Sequence, residues 1–299
     1  LNNTATCTTL FPQHFPAMQY PWAGGNAGLQ EVFSTATNFS YKVALYHDFV
    51  EMFINSPYWN PANIGRNESG GYNPPPWNPP DCPMQNHPAI APDKMLYYAQ
   101  QEGPLITSTF NPGTLYVDVT TKSYFKSLID FNPANNKSRS IRDGFRHVVN
   151  LHTYLRDLYN GPLVGEGGQD KVQTDRLQAG YIDGVESEIL GRELVSIIPD
   201  FELKYVNKLM MNQGMGLESR WLTGPGWYGG TEYVINLDTF DRDKYIATLI
   251  AFGHSTWFST FYLILLNNNT SQWPSTTKLF KHMVKSYYQT YALQKEYAN

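Results

Sequence analysis

An α/β fold of parallel strands is the class that this sequence predicts, and two features of the chain predict it. Short apolar runs that end in polar residues or glycine alternate with longer segments whose apolar residues recur at helical spacing. Strand and helix in alternation are typical of a parallel sheet. At 299 residues with 41% hydrophobic content, the chain is long enough for one closed barrel. We therefore predict a (β/α)8 TIM-like barrel over residues 1–299 as a single domain.

Six strands of this barrel can be recognised in the sequence. They occupy residues 41–48, 115–119, 162–168, 179–184, 197–205 and 245–252. Helices are predicted over 92–102 and 141–159 and from about 277 onward, and the proline- and glycine-rich stretch 67–92 is predicted to be a long ordered loop. Because a closed barrel needs eight strands, we expect the missing ones in the lead-in segment 1–25 or before Leu1. We also expect the chain to be part of a larger protein.

Charge and hydropathy argue against two classes of partner. The formal net charge is -4 and the 22 lysines and arginines are scattered, so no basic surface for a nucleic acid is predicted. Residues 245–266 carry no formal charge and are long enough to span a bilayer. Polar residues at 253–256 interrupt this run, which favours a buried strand followed by a loop and a helix over a membrane span.

Sequons and cysteines indicate an extracellular protein. The asparagines that begin Asn-x-Ser/Thr sequons are Asn2, Asn38, Asn67, Asn136, Asn268 and Asn269. A secreted chain would join its two cysteines, Cys7 and Cys82, in a disulfide that closes one large loop. Free thiols in a cytosolic protein are the alternative. We predict a secreted glycoprotein.

Two acidic residues stand where consecutive predicted strands end. Asp118 belongs to the apolar run 115–119, and Glu166 ends the apolar run of a later strand and precedes two glycines. In parallel barrels, side chains at the carboxyl ends of the strands carry the chemistry. Adjacent strands lie about 4.8 Å apart, which suits the gap of about 5 to 5.5 Å between the carboxyl groups of a retaining glycosidase. The pair predicts sugar hydrolysis, although each acid alone could also serve as a turn residue.

Short motifs in a fixed order connect the chain to a family. The motifs are Trp22-Ala23-Gly24-Gly25, Tyr46-His47-Asp48, Tyr116-Val117-Asp118-Val119-Thr120-Thr121, Gly161-Pro162-Leu163-Val164-Gly165-Glu166-Gly167, Tyr181-Ile182-Asp183-Gly184 and Ile198-Pro199-Asp200-Phe201-Glu202-Leu203. From about Trp22 to the C-terminus, their order resembles the catalytic barrel of glycoside hydrolases related to endo-α-N-acetylgalactosaminidase and α-N-acetylgalactosaminidase. The resemblance implies a (β/α)8 barrel, a retaining mechanism and an α-linked galactose-type substrate.

The resemblance also implies roles for individual residues. Asp118 would be the nucleophile and Glu166 the general acid/base, in agreement with the argument from the strand ends. The substrate-binding positions that it implies are Trp22, His47, Asp48, Asp183 and Glu202. The chain departs from the family at Val206 and Asn207, where a His-Asp pair is common, and this departure bears on one substrate contact.

Two further residues are candidates for the sugar pocket. Trp227 lies in a glycine-rich loop, 224–230, that lacks the lysine of a phosphate-binding loop, and it would stack on a sugar ring as part of a lid. His254 follows the strand 245–252 and would be either a hydrogen-bonding residue of the pocket or a buried core histidine. His47, Asp48 and His87 match no metal-ligand spacing, so we predict no metal and no cofactor.

The sequence supports a leading function and two alternatives. The leading function is a secreted retaining glycoside hydrolase that acts on an α-linked galactose or N-acetylgalactosamine residue of a glycan or polysaccharide. The first alternative is a non-catalytic extracellular glycoprotein that keeps the barrel as a scaffold or sugar-binding surface, since folds are reused without their chemistry. The second is an inverting hydrolase that uses Asp183 with Glu166, which a carboxyl separation of about 6.5 to 9.5 Å would favour.

Overall fold

The structure is a computed structural model that describes residues 24–54, 56–74, 87–117, 120, 125–135, 137–166, 184–186, 210–212, 288, 292, 295 and 296. The chain divides into two compact units, residues 1–166 and 167–299. Most of the described residues belong to the first unit, which contains the sheet that positions the candidate site.

The first unit alternates helices and strands. Its helices are α1 (Gly25–Asn38), α2 (Pro92–Phe110) and α3 (Ile141–Tyr159), and its strands are β1 (Ala44–His47), β2 (Thr114–Val117) and β3 (Leu163–Glu166). Short 3-10 helices occupy Pro61–Asn63 and Phe125–Leu128. The three strands form a parallel sheet in the order β1-β2-β3. Three of the predicted strands, and their parallel arrangement, are therefore confirmed in this part of the chain.

Rows of apolar side chains fix the register of the sheet. One row aligns Leu45, Leu115 and Leu163, and the last two of these are fully buried. Successive residues of a strand alternate between the two faces, so a slip of one residue would move the buried leucines to the opposite face. The loss of their burial, about 2 kcal/mol for each leucine, disfavours any other register.

The two faces of the sheet differ in what covers them. The face of Leu115, Val117 and Leu163 packs under α3, and α2 packs on α3 and contacts the end of β1 through Glu102. The most buried apolar side chains of these two helices are Met95, Tyr98, Ala99, Ile106, Val148, Leu151 and Leu155. The opposite face carries Tyr46 and Tyr116, whose rings stack with their centroids 5.8 Å apart. The side chain of Tyr46 remains 46% exposed. The sheet thus has a helix-covered face and a tyrosine face.

Capping residues set both ends of α3. The Ser140 hydroxyl accepts a hydrogen bond from the backbone N–H of Asp143 at 3.1 Å, and Asn160 follows the last turn in the left-handed conformation, with a φ of 46°. The predicted helix 141–159 is confirmed at both ends. No helix in the described part of the chain has both the length and the apolar character that a membrane span needs.

The C-terminal end of α2 corrects the sequence prediction. The helix was expected to end at residue 102 but continues to Phe110, although Pro104 lies within it and offers no N–H to the preceding turn. The helix continues because Ile106 and Phe110, beyond the proline, are buried. Burial of two apolar side chains outweighs one missing backbone hydrogen bond.

Helix α1 is an element that the sequence analysis did not predict. Its N-cap residue, Gly24, provides no side-chain hydrogen bond, and no acid stands in the first turn, so the usual start signals are absent. Tertiary contacts hold it in place instead. Phe33 is buried and stacks on Phe110 of α2 at 6.0 Å, and the Gln30 amide donates to the Thr109 carbonyl at 2.7 Å.

The connection from β1 to α2 includes the predicted loop 67–92, of which residues 67–74 and 87–92 are described. Isolated antiparallel bridges pair Ile64 with Ile90 and Arg66 with Tyr72. The guanidinium of Arg66 also lies 4.2 Å from the centre of the Tyr72 ring, a distance typical of a cation–π contact. These contacts join both described ends of the loop to the residues just before it, Ile64 and Arg66.

In the second unit the structure describes two short strands and four helical residues. Strand β4 (Gly184–Glu186) pairs in parallel with β5 (Met210–Asn212), and the helical residues are Tyr288, Ala292, Lys295 and Glu296. β4 overlaps the end of the predicted strand 179–184, whereas β5 was not predicted. The predicted strands 197–205 and 245–252 lie outside the described residues. A closed eight-stranded barrel stays a prediction.

Gly144 should tolerate no side chain. A Cβ atom at this position would overlap the carbonyl oxygen of Leu128, a backbone atom of the 3-10 helix that packs on α3. Alanine is normally favoured over glycine in a helix. A loss of stability on substitution by alanine, rather than a gain, would therefore show that the packing at this position excludes a side chain. We expect Gly144→Ala to lower the free energy of unfolding by about 1–3 kcal/mol in urea titrations.

Gly113→Ala is the matched control for this substitution. A Cβ atom at position 113 would meet only the flexible side chain of Lys42 at 3.6 Å, which is ordinary van der Waals contact. We expect this variant to stay within about 0.5 kcal/mol of the wild type. A Gly144→Ala variant as stable as the wild type would show that the two backbones are not held in this contact.

Candidate active site at the carboxyl edge of the sheet

The carboxyl ends of β1, β2 and β3 meet at one edge of the parallel sheet. The register aligns His47 and Val117, the last residues of β1 and β2, with Gly165 of β3. The residue that follows each of these three along the chain is acidic: Asp48, Asp118 and Glu166. Adjacent strands are about 4.8 Å apart. In the sequence, an acid thus ends or directly follows each of three neighbouring strands, at the edge where parallel α/β folds place their active sites.

His47 is anchored to the helix-covered side of this edge. Its Nε2 atom lies 2.7 Å from Oε2 of Glu102 on α2, and its Nδ1 atom lies 3.2 Å from the Asp48 carbonyl oxygen. The ring also stacks on Phe49, with centroids 3.9 Å apart. Both residues of the pair are buried, since His47 is 6% exposed and Glu102 is inaccessible to solvent. The contact therefore joins the end of β1 to the middle of α2.

Glu102 influences the tyrosines around it. Burial, and then the negative charge of Glu102, raise the pKa of Tyr159 well above its ordinary range. Burial followed by the same charge raises the pKa of Tyr58. The pKa of Tyr98 is raised by burial first, the hydrogen bond from Asn63 opposes this shift, and the charges of Tyr97 and Glu102 add smaller increases. The carboxylate thus lies among aromatic rings that stay neutral at physiological pH.

The segment after β1 turns back on itself through Asp48. Its Oδ1 atom accepts a hydrogen bond from the backbone N–H of Val50 at 2.6 Å, and Asp48 is 3% exposed. The Val50 carbonyl in turn accepts from Ile90 N at 2.7 Å, and Met52 N donates to the Pro88 carbonyl at 3.1 Å. These bonds hold the residues after β1 against the segment that leads into α2.

The segment after β2 is anchored to α3. Thr120 Oγ1 lies 2.9 Å from Nε2 of His152, and both residues are buried, with exposures of 4% and 0%. Farther along the same connection, the 3-10 helix packs on α3 at Gly144. The chain that leaves the carboxyl end of β2 therefore returns to the surface of one helix at two places.

Asp130 organises the next part of this connection. Its Oδ1 atom accepts hydrogen bonds from the backbone N–H groups of Arg66 and Asn132, at 2.8 and 3.0 Å. Its Oδ2 atom accepts from the Asn135 amide at 2.8 Å, and that amide also donates to Asp93 at 2.7 Å. Asp130 is 1% exposed. A carboxylate that accepts three N–H groups meets the requirement that a buried charge be hydrogen-bonded.

The structure describes some of the predicted site residues. His47 and Asp48 are buried in the contacts given above, and Glu166 is the last residue of β3. Asp118 directly follows β2 and lies outside the described residues, as do Trp22, Asp183, Glu202, Trp227 and His254. A sugar-binding role for His47 and Asp48 stays a prediction, because the contacts described here account for both residues as anchors of the strand end.

The residues predicted to be modified are also only partly described. Asn38 is the last residue of α1 and is exposed, and Asn67 is partly exposed, with its Oδ1 accepting a hydrogen bond from the Ser69 hydroxyl of the same sequon at 2.8 Å. The other predicted positions, Asn2, Asn136, Asn268 and Asn269, lie outside the described residues. Cys7 and Cys82 lie outside them too, and their disulfide stays a prediction.

Sequence reasoning missed Glu102, Thr120 and His152 as site residues, although two of them carried a signal. Glu102 falls on the apolar stripe of α2, between Ala99 and Ile106, where a charged residue needs a buried partner. His152 falls on the apolar stripe of α3. The partners could not be named, because His47 is 55 residues from Glu102 and Thr120 is 32 residues from His152.

Removal of Glu102 should destabilise the first unit. In Glu102→Ala, the buried His47 ring loses the hydrogen-bond partner of its Nε2 atom, and leaving a buried polar group unsatisfied typically costs about 1–3 kcal/mol. Glu102→Gln keeps an oxygen acceptor of similar size and should lose less. Urea unfolding would measure both variants. Glu31→Ala, which truncates an exposed glutamate of α1, is the control and should change stability by less than about 0.5 kcal/mol. Equal losses for Glu102→Ala and the control would contradict this account.

Comparisons with known proteins show a likeness of fold. No family model and no curated protein matches the sequence. The ligand-free structure of α-N-acetylgalactosaminidase NagBb from Bifidobacterium bifidum matches 99% of this chain and 42% of its own, with a TM-score of 0.64 and 12% sequence identity. A quadruple mutant of the same enzyme matches 82% of this chain and 36% of its own, with a TM-score of 0.57 and 12% identity. The chain therefore spans about two fifths of the length of that enzyme and is similar to it in fold.

Proposed function

We propose that this protein is a secreted glycoside hydrolase that cleaves an α-linked galactose or N-acetylgalactosamine residue with retention of configuration. The observation that carries the proposal is the parallel sheet whose neighbouring strands β2 and β3 lead directly into Asp118 and end at Glu166. The fold likeness to an α-N-acetylgalactosaminidase supports the same class of reaction and the same type of sugar.

Strand alternation predicts the face on which the two acids would act. Asp118 stands two residues after Tyr116, and Glu166 stands two residues after Val164, which is paired with Tyr116 in the register. Residues two apart share a face of a strand. We therefore expect both carboxyl groups on the tyrosine face, opposite α2 and α3. In a (β/α)8 barrel, the helices lie outside and the opposite face is the interior, where the substrate binds.

The proposed mechanism has two steps. The Asp118 carboxylate attacks the anomeric carbon while Glu166 donates its proton to the departing glycosidic oxygen, so that a covalent glycosyl ester forms and the aglycone leaves. Glu166, now a carboxylate, then removes a proton from water as the water oxygen attacks the same carbon. The ester bond to Asp118 breaks and the sugar leaves with its original configuration.

Secretion belongs to the same proposal. It rests on the sequons, and the two sequon asparagines that the structure describes, Asn38 and Asn67, are both accessible at least in part. The alternative function, a non-catalytic glycoprotein with a sugar-binding surface, is favoured by the departure from the family motif at Val206 and Asn207. Measured turnover decides between the two.

A panel of nitrophenyl glycosides tests the proposed reaction. We expect release of nitrophenol from the α-galactoside or the N-acetyl-α-galactosaminide but not from the corresponding β-glycosides, and proton NMR should show the α-anomer of the free sugar as the first product. An initial β-anomer would assign an inverting mechanism, in which Asp183 would act with Glu166. Asp118→Asn should reduce turnover to the background rate, because an amide is a poor nucleophile.

The control for Asp118→Asn is Asp157→Asn, which makes the same change at an exposed position of α3 and should leave turnover at the wild-type rate. Near wild-type activity in Asp118→Asn would remove Asp118 from the mechanism. An absence of turnover on every member of the panel, together with sugar binding in a glycan array, would favour the non-catalytic alternative.

Glu166→Ala should separate the two steps. A dinitrophenyl α-glycoside needs little acid assistance, so its first step should survive while the second step slows for lack of a base. Added azide should then attack the glycosyl ester and restore turnover, and it should yield an α-glycosyl azide. A β-glycosyl azide would instead identify Glu166 as the nucleophile, and a lack of any azide effect would contradict a role as general acid/base.

A further inference from the structure

A buried hydrogen bond joins the segment after β2 to the middle of α3. Thr120 Oγ1 and His152 Nε2 are 2.9 Å apart, and the residues are 32 positions apart in the sequence. Neither residue belongs to the chemistry of the proposed reaction. Such a bond makes only a modest net contribution to the free energy of unfolding, because both groups would also be hydrogen-bonded to water in the unfolded chain. Its place in the fold therefore matters more than its strength.

The bond lies immediately beyond the proposed nucleophile. Val117, the last residue of β2, is fixed by its pairing with His47 on one side and Gly165 on the other. Thr120 is three residues farther along the chain. Only Asp118 and Val119 stand between the end of the ladder and the contact with His152. The chain is thus held on both sides of Asp118, by the sheet before it and by α3 after it.

The helix that provides this anchor also leads to the second acid. His152 lies between Leu151 and Leu155, which are fully buried, so the imidazole is mounted on a tightly packed part of α3. α3 ends at Tyr159, and β3, which carries Glu166 as its last residue, begins at Leu163. A single helix therefore fixes the turn after Asp118 and precedes the strand of Glu166.

We propose that Thr120 and His152 are positioning residues that hold the turn after β2 so that the Asp118 carboxylate stays aligned with Glu166; this inference rests on the proposed function. In a displacement at carbon, the nucleophile must lie about 3 to 3.5 Å from the carbon that it attacks, and an error of 1 Å can reduce the rate about 100-fold. The Thr120–His152 bond restricts the backbone conformations that are open to this turn.

Substitutions of Thr120 test the role of its hydroxyl. Thr120→Val replaces the hydroxyl by a methyl group of similar size and should lower kcat on the preferred nitrophenyl glycoside about 100-fold, with little change in KM. Thr120→Ser keeps the hydroxyl and should recover most of kcat. A general loss of structure cannot produce this pattern, because rates are normalised to the folded fraction measured by thermal unfolding.

Matched controls come from α3 itself. Thr153→Val makes the same change at an exposed position of the helix and should leave kcat unchanged. His152→Gln should reduce kcat in the same direction as Thr120→Val. His147→Gln alters a histidine of α3 whose Nε2 lies 3.1 Å from the Lys137 carbonyl oxygen, remote from this contact, and should keep the wild-type rate. If His152→Gln does not fold, the Thr120 series still decides the question.

Hydrogen–deuterium exchange provides a readout that does not depend on catalysis. Thr120→Val should speed exchange of the backbone amides in a peptide covering residues 114–124, while peptides from α3 keep their wild-type rates. If the wild type hydrolyses the substrate but Thr120→Val keeps its kcat, the positioning role is overturned and the proposed function stands. If the wild type hydrolyses nothing, the proposed function fails, and the exchange result alone decides whether the bond fixes the turn; unchanged exchange would overturn that too.

Discussion

Burial of polar groups on the helix-covered face of the sheet is the constraint on which the candidate site depends. His47, Glu102, Thr120 and His152 are all nearly inaccessible to solvent, and a buried polar group without a partner costs more than its hydrogen bond returns. The partners are supplied by different elements: Glu102 of α2 for the end of β1, and His152 of α3 for the segment after β2. The carboxyl ends of β1 and β2 can therefore be fixed only when α2 and α3 are in place.

Close backbone packing reinforces these anchors. Gly103, next to Glu102, lies where a Cβ atom would overlap the Leu158 side chain of α3, and Gly144 admits the backbone of Leu128 in the same way. Gly144 thus lets α3 and the 3-10 helix approach more closely than a residue with a Cβ atom would allow, whereas a side chain at position 103 would require Leu158 to move. Because packed interiors transmit small shifts, a displacement of either helix would move a histidine contact and, with it, a strand end.

The sequence predicts local structure well where local signals agree. In α3, a cap at Ser140 and a regular apolar stripe give both boundaries, and the apolar runs before Asp118 and Glu166 locate two strands and their acidic ends. Prediction from the sequence fails where tertiary contacts determine whether a helix forms or where it ends. α1 has no start signal and is held by the stacking of Phe33 on Phe110, and α2 continues past Pro104 because the residues beyond it are buried. The pairing of each histidine depends on residues far away in sequence, which no local pattern encodes.

Because side chains alternate along the strands, the two faces of the sheet carry different kinds of residue. In β1 and β2, the residues on the side of α2 and α3 are held in apolar packing or, for His47, in a buried hydrogen bond to Glu102. The next residue along the chain belongs to the other face. A substitution among the apolar residues of the helix-covered face would then alter a rate by moving the backbone, whereas a substitution of Asp118 or Glu166 would remove one of the proposed reacting groups. This difference follows from strand geometry alone. It also explains how a chain with 12% identity to an α-N-acetylgalactosaminidase can share its fold, because the covered face requires only apolar side chains and satisfied polar groups. The proposed chemistry requires particular residues at one edge.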